Sequence, residues 1–193
     1  MIMIMTDLHE ELIIAGFGGQ GVILAGKLLS HTAMNSGKEV TYMPSYGAEV
    51  RGGTANCTVI IADQKIASPM TVNPDTAIVM NKASFAKFAP KVKSGGLLIL
   101  NSSLIENYDK SVLAKDVEVL ELPADDIAVE LGNQKSANMV AVGAYLGKKK
   151  ILQVEDAVES LANVLAKRYH NMLKLNSDAI LKGAEFANGT SGN

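Results

Sequence analysis

Short apolar runs with no polar interruption set the strongest limit on how this chain folds. Leu12-Ile13-Ile14-Ala15, Ala77-Ile78-Val79-Met80 and Leu97-Leu98-Ile99-Leu100 are apolar at every position, not at every second one. Strands of that kind are covered on both faces, which is the habit of a parallel sheet held between helix layers. The intervening stretches carry helical spacing. Residues 20–36 place Val22, Leu24, Leu28, Leu29 and Ala33 about a turn apart and stop at Gly37; Phe85, Phe88 and Val92 precede Gly95-Gly96. Val40-Thr41-Tyr42, the β-branched residues 54–62 before a turn at Asp63-Gln64, and residues 117–122 complete six expected strands. Towards the end, Val154, Ala157, Val158, Leu161, Val164 and Leu165 form one apolar stripe, and a second short helix fits residues 177–187. The expected fold is therefore α/β: a Rossmann-like three-layer sandwich with a mostly parallel sheet and a helical C-terminal third. One domain is expected over residues 1–188, with a disordered tail at 189–193.

Composition narrows the function classes. The 193 residues are 48% hydrophobic and 20% charged with net charge -2, as in a folded globular chain. Only Arg51 and Arg168 are arginines, a poor provision for a phosphate backbone, so nucleic acid is excluded as a general partner. The single cysteine, Cys57, excludes an internal disulfide, and no Cys/His spacing suits zinc. One thiol cannot ligate an iron–sulfur cluster, which usually takes four. Alternating within its strand, Cys57 reads as a small buried hydrophobe. The apolar start at residues 1–5 runs directly into Thr6-Asp7-Leu8-His9-Glu10 without a basic flank or cleavage pattern, so no signal peptide is read. No apolar run approaches the ~20 residues that cross a bilayer. A cytoplasmic location is expected.

Two loops carry the chemistry. Gly16-Phe17-Gly18-Gly19-Gln20-Gly21 fits G-x-G-x-x-G between an expected strand and an expected helix. Glycines there permit close backbone approach, and the helix start offers free N–H groups to a phosphate. A dinucleotide reader would also need an acid at the end of the second strand. That strand ends Thr41-Tyr42-Met43-Pro44-Ser45, with Glu39 too early and Glu49 in the next loop, so NAD loses ground. Phosphate binding of another kind and simple helix–strand packing both remain open. A Walker A site is excluded because no Gly-Lys-Ser/Thr follows. Lys27, further along the helix, is either a ligand contact or a solvated lysine.

Pro44-Ser45-Tyr46-Gly47-Ala48-Glu49-Val50-Arg51-Gly52-Gly53 is the least generic segment. It presents an aromatic ring and an acid–base pair among glycines, a common way to meet a ligand or a neighbouring subunit. Arg51 can grip a carboxylate or phosphate with two bonds, or close on Glu49 as a loop-fixing salt bridge. His9, His31 and His170 are isolated, Ser102-Ser103 lacks a nucleophile-elbow context, and Lys148-Lys149-Lys150 reads as a solvated helix end. No self-contained active site emerges.

The two loops, with Ser68-Pro69, Pro74-Asp75 and Met80-Asn81, resemble the gamma subunit of 2-oxoacid:ferredoxin oxidoreductases over residues 11–185. The second loop is similar to the 2-oxoglutarate type; pyruvate-type chains usually carry a phenylalanine-containing version and indolepyruvate-type chains a Gly-Met-x-Gln-Arg-Gly-Gly form. The resemblance implies a pyruvate/ketoisovalerate oxidoreductase gamma-type domain without catalytic residues of its own. It implies oxidative decarboxylation of a 2-oxoacid to an acyl-coenzyme A, with electrons leaving to ferredoxin. Thiamine diphosphate, Mg and the iron–sulfur clusters are then expected on partner alpha, beta and delta subunits; for the isolated chain a homodimer stays open. In fused single-chain relatives the equivalent domain is associated with coenzyme A. By resemblance Gly16, Gly18, Gly19, Gln20, Gly21, Lys27, Arg51 and Asn138 become candidates for contacting coenzyme A or shaping its channel. Tyr46, Gly47, Glu49, Arg51, Gly52 and Gly53 form the loop or interface set. Asn138, in Ser136-Ala137-Asn138-Met139, also suits helix capping. Two rival classes stand beside this: a purely structural assembly subunit, and a free-standing dinucleotide-binding oxidoreductase.

Overall fold

The structure, a computed structural model, describes residues 7–47 and 54–189. Six strands, β1 (His9–Phe17), β2 (Glu39–Tyr46), β3 (Thr54–Ala62), β4 (Thr76–Val79), β5 (Leu97–Asn101) and β6 (Glu118–Leu122), form one sheet in the order β2-β3-β1-β4-β5-β6. β1, β4, β5 and β6 run parallel, as their continuous apolar runs predict. β3 departs from that rule: it is antiparallel to both β1 and β2. The reason lies in the connection. Residues 47–53 are too few for a parallel crossover, which takes a dozen or more, so β3 has to return alongside β2.

The sheet separates two cores. Leu12 and Ile14 of β1 face α1 (Val22–Asn35), where Val22, Ala25, Leu28 and Leu29 are buried against them. α3 (Ala124–Glu130), α4 (Ala137–Lys149), α5 (Val154–Val164) and α6 (Leu173–Gly189) contribute to the same core. Ile13 and Ala15 face the opposite layer, built from Phe85 and Phe88 of α2 (Lys82–Phe88), the following 3-10 turn Ala89–Lys91, and Ile105. Each fully buried aliphatic or aromatic side chain of this kind contributes about 1.5–3 kcal/mol.

Three differences from the sequence reading have physical causes. α4 gives no amphipathic signal because residues 137–147 are buried on every side. α6 starts earlier than the expected residue 177 and packs closely on α4: a Cβ on Gly143 would collide with the Ile180 carbonyl, and one on Gly183 with that of Val140. Lys148 and Lys149 are not a solvated end. They are only 13% and 26% exposed and reach Glu118 and Glu10 at 2.6 and 2.8 Å. Glu10, 4% exposed, also accepts a 2.6 Å hydrogen bond from the Thr76 hydroxyl. A buried carboxylate persists here because it is paired and hydrogen-bonded.

Candidate functional site

β1 delivers the glycine turn to the carboxyl edge of the sheet. There the chain leaves β1 through α1 on one face, whereas β4 continues into α2 on the other. Ligands of open α/β sheets bind in the crevice made by such a reversal. A cavity of about 220 Å³ opens there, lined among others by Gly19, Gln20, Met80, Leu104, Asp125 and Lys135.

Gln20 holds the turn in shape. Its Oε1 accepts from the Phe17 N–H at 2.7 Å and from Asn81 Nδ2 at 2.8 Å, and its Nε2 donates to the Met80 carbonyl at 3.1 Å. Asn81 in turn caps α2 by accepting from the Ser84 N–H at 2.9 Å. The Gln20 amide is thus engaged by the end of β1 and by the two residues that follow β4, and Gly16 is fitted closely against it, since a Cβ there would lie 2.8 Å from Gln20 Oε1. From Met80 the polar chain continues through Asn101, which donates to Asp125 at 2.5 Å; Gln134 donates to the same carboxylate at 2.8 Å.

The turn ends at Gly21, whose φ of 73° lies in the left-handed region and leads into α1. Its carbonyl accepts from the Ala25 N–H and from Asn138 Nδ2, both at 3.0 Å. Asn138 is 4% exposed and sits in the first turn of α4, behind the cap at Ser136. It braces the other helix's start and does not cap its own, which corrects the capping expectation. No side chain caps α1, and no acid occupies its first turn. The helix start is left open to an anion.

A second hollow, about 420 Å³, lies on the outer side of the turn between Gly18, Gly19, Gly21, Lys27 and Tyr46. Register explains the meeting of the two loops. β3 pairs Phe17 with Thr54 and Tyr46 with Ala55, so the end of β2 lies two strands from the glycine turn. The Gly47 N–H closes this corner on the Thr54 carbonyl at 2.8 Å. Tyr46, 70% exposed, projects from the rim. Glu49, Arg51, Gly52 and Gly53 lie outside the described residues. Insertion of β3 beside β1 also removes β2 from the place where a dinucleotide's ribose acid would stand.

The sequence reading missed a third and larger cavity, about 640 Å³, which Lys135, Arg168 and Tyr169 line together with Gly19, Gly21 and Leu24 of the turn and α1. Arg168 is one of only two arginines in the chain. His9 is not free of carboxylates: its Nε2 lies 3.4 Å from Glu11. Cys57 is fully buried and contacts the Val22 carbonyl at 3.3 Å; burial pushes its thiol up to about 12. Among the described residues, no group of three or more His, Cys, Asp or Glu could hold a metal ion, and no helix is long and apolar enough to cross a membrane.

Fold and site define an α/β chain with an open glycine turn at the sheet's reversal point. Residues 11–186 match the pyruvate ferredoxin/flavodoxin oxidoreductase family, and the chain belongs to it. Among relatives, ketoisovalerate oxidoreductase subunit VorA of Methanothermobacter thermautotrophicus is 31% identical over 90% of this chain and 35% of that protein. The 2-oxoglutarate synthase subunit KorC of the same organism is 34% identical over 81% of this chain and 85% of that protein. The chain thus spans about a third of VorA but most of KorC. Among solved structures, the keto/oxoacid ferredoxin oxidoreductase gamma subunit of Geobacter sulfurreducens PCA superposes with a TM-score of 0.77 at 27% identity, covering 92% of this chain and 98% of that chain. The 2-oxoglutarate:ferredoxin oxidoreductase of Magnetococcus marinus, solved with 2-oxoglutarate, coenzyme A and succinyl-CoA bound, gives 0.84 at 24% identity, covering 94% of this chain and 31% of that chain.

Proposed function

We propose that this chain is the gamma subunit of a multisubunit 2-oxoacid:ferredoxin oxidoreductase and serves 2-oxoglutarate, with its glycine turn as a seat for coenzyme A. The complex would decarboxylate the oxoacid oxidatively, pass the acyl group to coenzyme A and deliver the electrons to ferredoxin. The observation that carries the coenzyme A assignment is the open start of α1: an uncapped, acid-free helix terminus behind Gly18 and Gly19, with Lys27 on the same hollow. Such a terminus favours phosphate. The hollow's apolar wall at Phe17, Ile23 and Ala55 suits the less polar, thiol-bearing arm. The presence of coenzyme A in the Magnetococcus structure supports the same reading.

A four-thiolate iron–sulfur cluster does not fit a chain with one cysteine, and the proposal places thiamine diphosphate on a partner as well. Cys57 is one buried, protonated thiol, and no described carboxylate or imidazole group completes a ligand set. Those groups are assigned to the partner alpha, beta and delta subunits. The 2-oxoglutarate choice rests on the second loop and on KorC relatives of similar length. Pyruvate and ketoisovalerate, for which other relatives are named, come second. The test is co-purification from the native host, followed by viologen reduction with 2-oxoglutarate, pyruvate or 2-oxoisovalerate plus coenzyme A. A clear preference for 2-oxoglutarate supports the assignment; preference for another oxoacid moves the chain to a different branch. Failure to find thiamine- and cluster-bearing partners contradicts the proposal.

A further inference from the structure

Residues 63–75 join the end of β3 to the start of β4 at the amino edge of the sheet, the end opposite the glycine turn. They hold no helix or strand. Irregular connections of ~12–15 residues are uncommon in compact domains and usually functional. From Ile66 to Pro74 the segment carries no charge. Val72 is 72% exposed and Met70 63%, the highest values for large apolar side chains besides Tyr46 among the described residues. A single exposed valine or methionine needs no explanation, but two of them one residue apart form a patch.

The segment is pinned in a shape that keeps both side chains out. Asp63 is held at its start by the Leu8 N–H at 2.8 Å and by Lys38 at 2.7 Å. At its end, Asp75 accepts from the Glu11 N–H at 2.9 Å and from Lys93 at 2.8 Å. Pro74 is buried, and its carbonyl accepts from the Lys93 N–H at 3.0 Å. Between the two apolar residues, Thr71 turns inward and donates its hydroxyl to Glu11 at 2.6 Å, which leaves its neighbours facing out. The Met70 N–H donates to the Ser68 hydroxyl at 3.2 Å, and Pro69 fixes its own backbone. A segment ordered in advance loses little freedom when it binds.

We propose that residues 66–74 are a docking knob, with Met70 and Val72 entering an apolar pocket on another subunit of the complex. This rests on the multisubunit reading above. The chemistry is that of an interface core, where charged residues are depleted and methionine is enriched. Two side chains supply a small part of the ~1,600 Å² that a stable interface buries, so they anchor a wider contact. A second copy of the chain, meeting the first head to head, would set knob against knob with no pocket to receive either.

The test compares amide hydrogen exchange over residues 66–73 in the full chain alone and in the complex purified from its host. Alongside it, retention in the complex on dilution is measured for the combined Met70→Ser and Val72→Ser variant. Met34→Ser, at a methionine 61% exposed on α1, is the control. Exchange should slow about tenfold or more in the complex, a readout that needs no variant. The double variant should dissociate at a concentration about tenfold higher than wild type, with the control retained and all melting temperatures unchanged. Unslowed exchange in the complex, or wild-type retention of the double variant, overturns the knob and leaves the multisubunit reading standing. Recovery of the chain with no other subunit overturns both. Self-association of the wild-type chain that the double variant abolishes overturns the proposal in favour of a second copy. Binding to phosphatidylcholine–phosphatidylglycerol vesicles that the double variant abolishes overturns it in favour of a bilayer.

Discussion

Asn138 donates its side-chain amide to the Gly21 carbonyl at 3.0 Å, and so joins the first turn of α4 to the cap of α1 across 117 residues of sequence. The bond holds the far end of the glycine turn in the way that Gln20 holds its near end. Replacing Asn138 by Ala removes a buried hydrogen bond at a cost of about 1–2 kcal/mol in urea unfolding. Asn138→Asp, which sets an acceptor against the carbonyl, should cost more. A cost below ~0.5 kcal/mol for both would show that the turn is held elsewhere.

Gly21 and Asn138 should also couple. A Cβ on Gly21 would collide with Asn138 Nδ2 in addition to bearing a φ of 73°. Gly21→Ala is expected to destabilise by about 2–4 kcal/mol, of which the backbone share is about 1 kcal/mol. In the Asn138→Ala background the collision is relieved and mostly the backbone share should remain. Additivity of the two substitutions would refute the steric account.

At the opposite end of the sheet, Lys93 bridges Asp75 at 2.8 Å and Glu11 at 3.1 Å. Burial alone would raise the Glu11 carboxyl, but hydrogen bonds from Thr71 and Lys93, and the Lys93 charge, hold it below 4.5. A lowered carboxyl stabilises the fold above its unfolded pKa, and that contribution is lost as pH falls through the folded value. Lys93 is itself raised above 10.5: burial opposes this, but bonds to Asp75 and Glu11 outweigh it, so its share is lost only as pH rises through the folded value. Lys93→Met should therefore cost stability at pH 7, within about 1 kcal/mol for so exposed a pair. The difference from wild type should shrink in acid, below the range where carboxylates ionise. A constant difference from pH 7 to pH 3 would contradict this.

Cys57 should be silent in the native state. With its thiol at about 12 against an ordinary 9.0, it should resist a thiol reagent at pH 8 until the chain unfolds. Because the folded chain keeps the proton that the unfolded chain releases, Cys57 makes stability fall as pH rises above 9.0. Rapid native labelling would show that the strand at Cys57 opens.

How much of this was legible depends on how far each feature reaches. β1, β4 and β5 announce themselves because their own residues are apolar throughout. The direction of β3 depends on the length of residues 47–53, not on the strand's composition. α4 stays hidden because burial on every side erases its periodicity. At the site, the G-x-G-x-x-G spacing is local and readable. The bracing by Asn81, Met80 and Asn138, and the cavity that joins Lys135 to Arg168, are made by contacts across 33 to 117 positions, which no local pattern encodes. Arg168 carried no local signal beyond being one of two arginines.

The glycine turn is the proposed seat of the coenzyme A phosphates. Its most direct test is the apparent Michaelis constant for coenzyme A in the assembled complex carrying Gly18→Val, with Lys27→Ala as the gentler companion. Gly18 is exposed on the hollow, so a branched side chain there obstructs a ligand more than it disturbs packing. A constant raised about tenfold or more is expected for Gly18→Val and a smaller rise for Lys27→Ala, with oxoacid dependence and melting temperature unchanged. An unaltered coenzyme A constant in both variants would contradict it and leave the turn as a packing device.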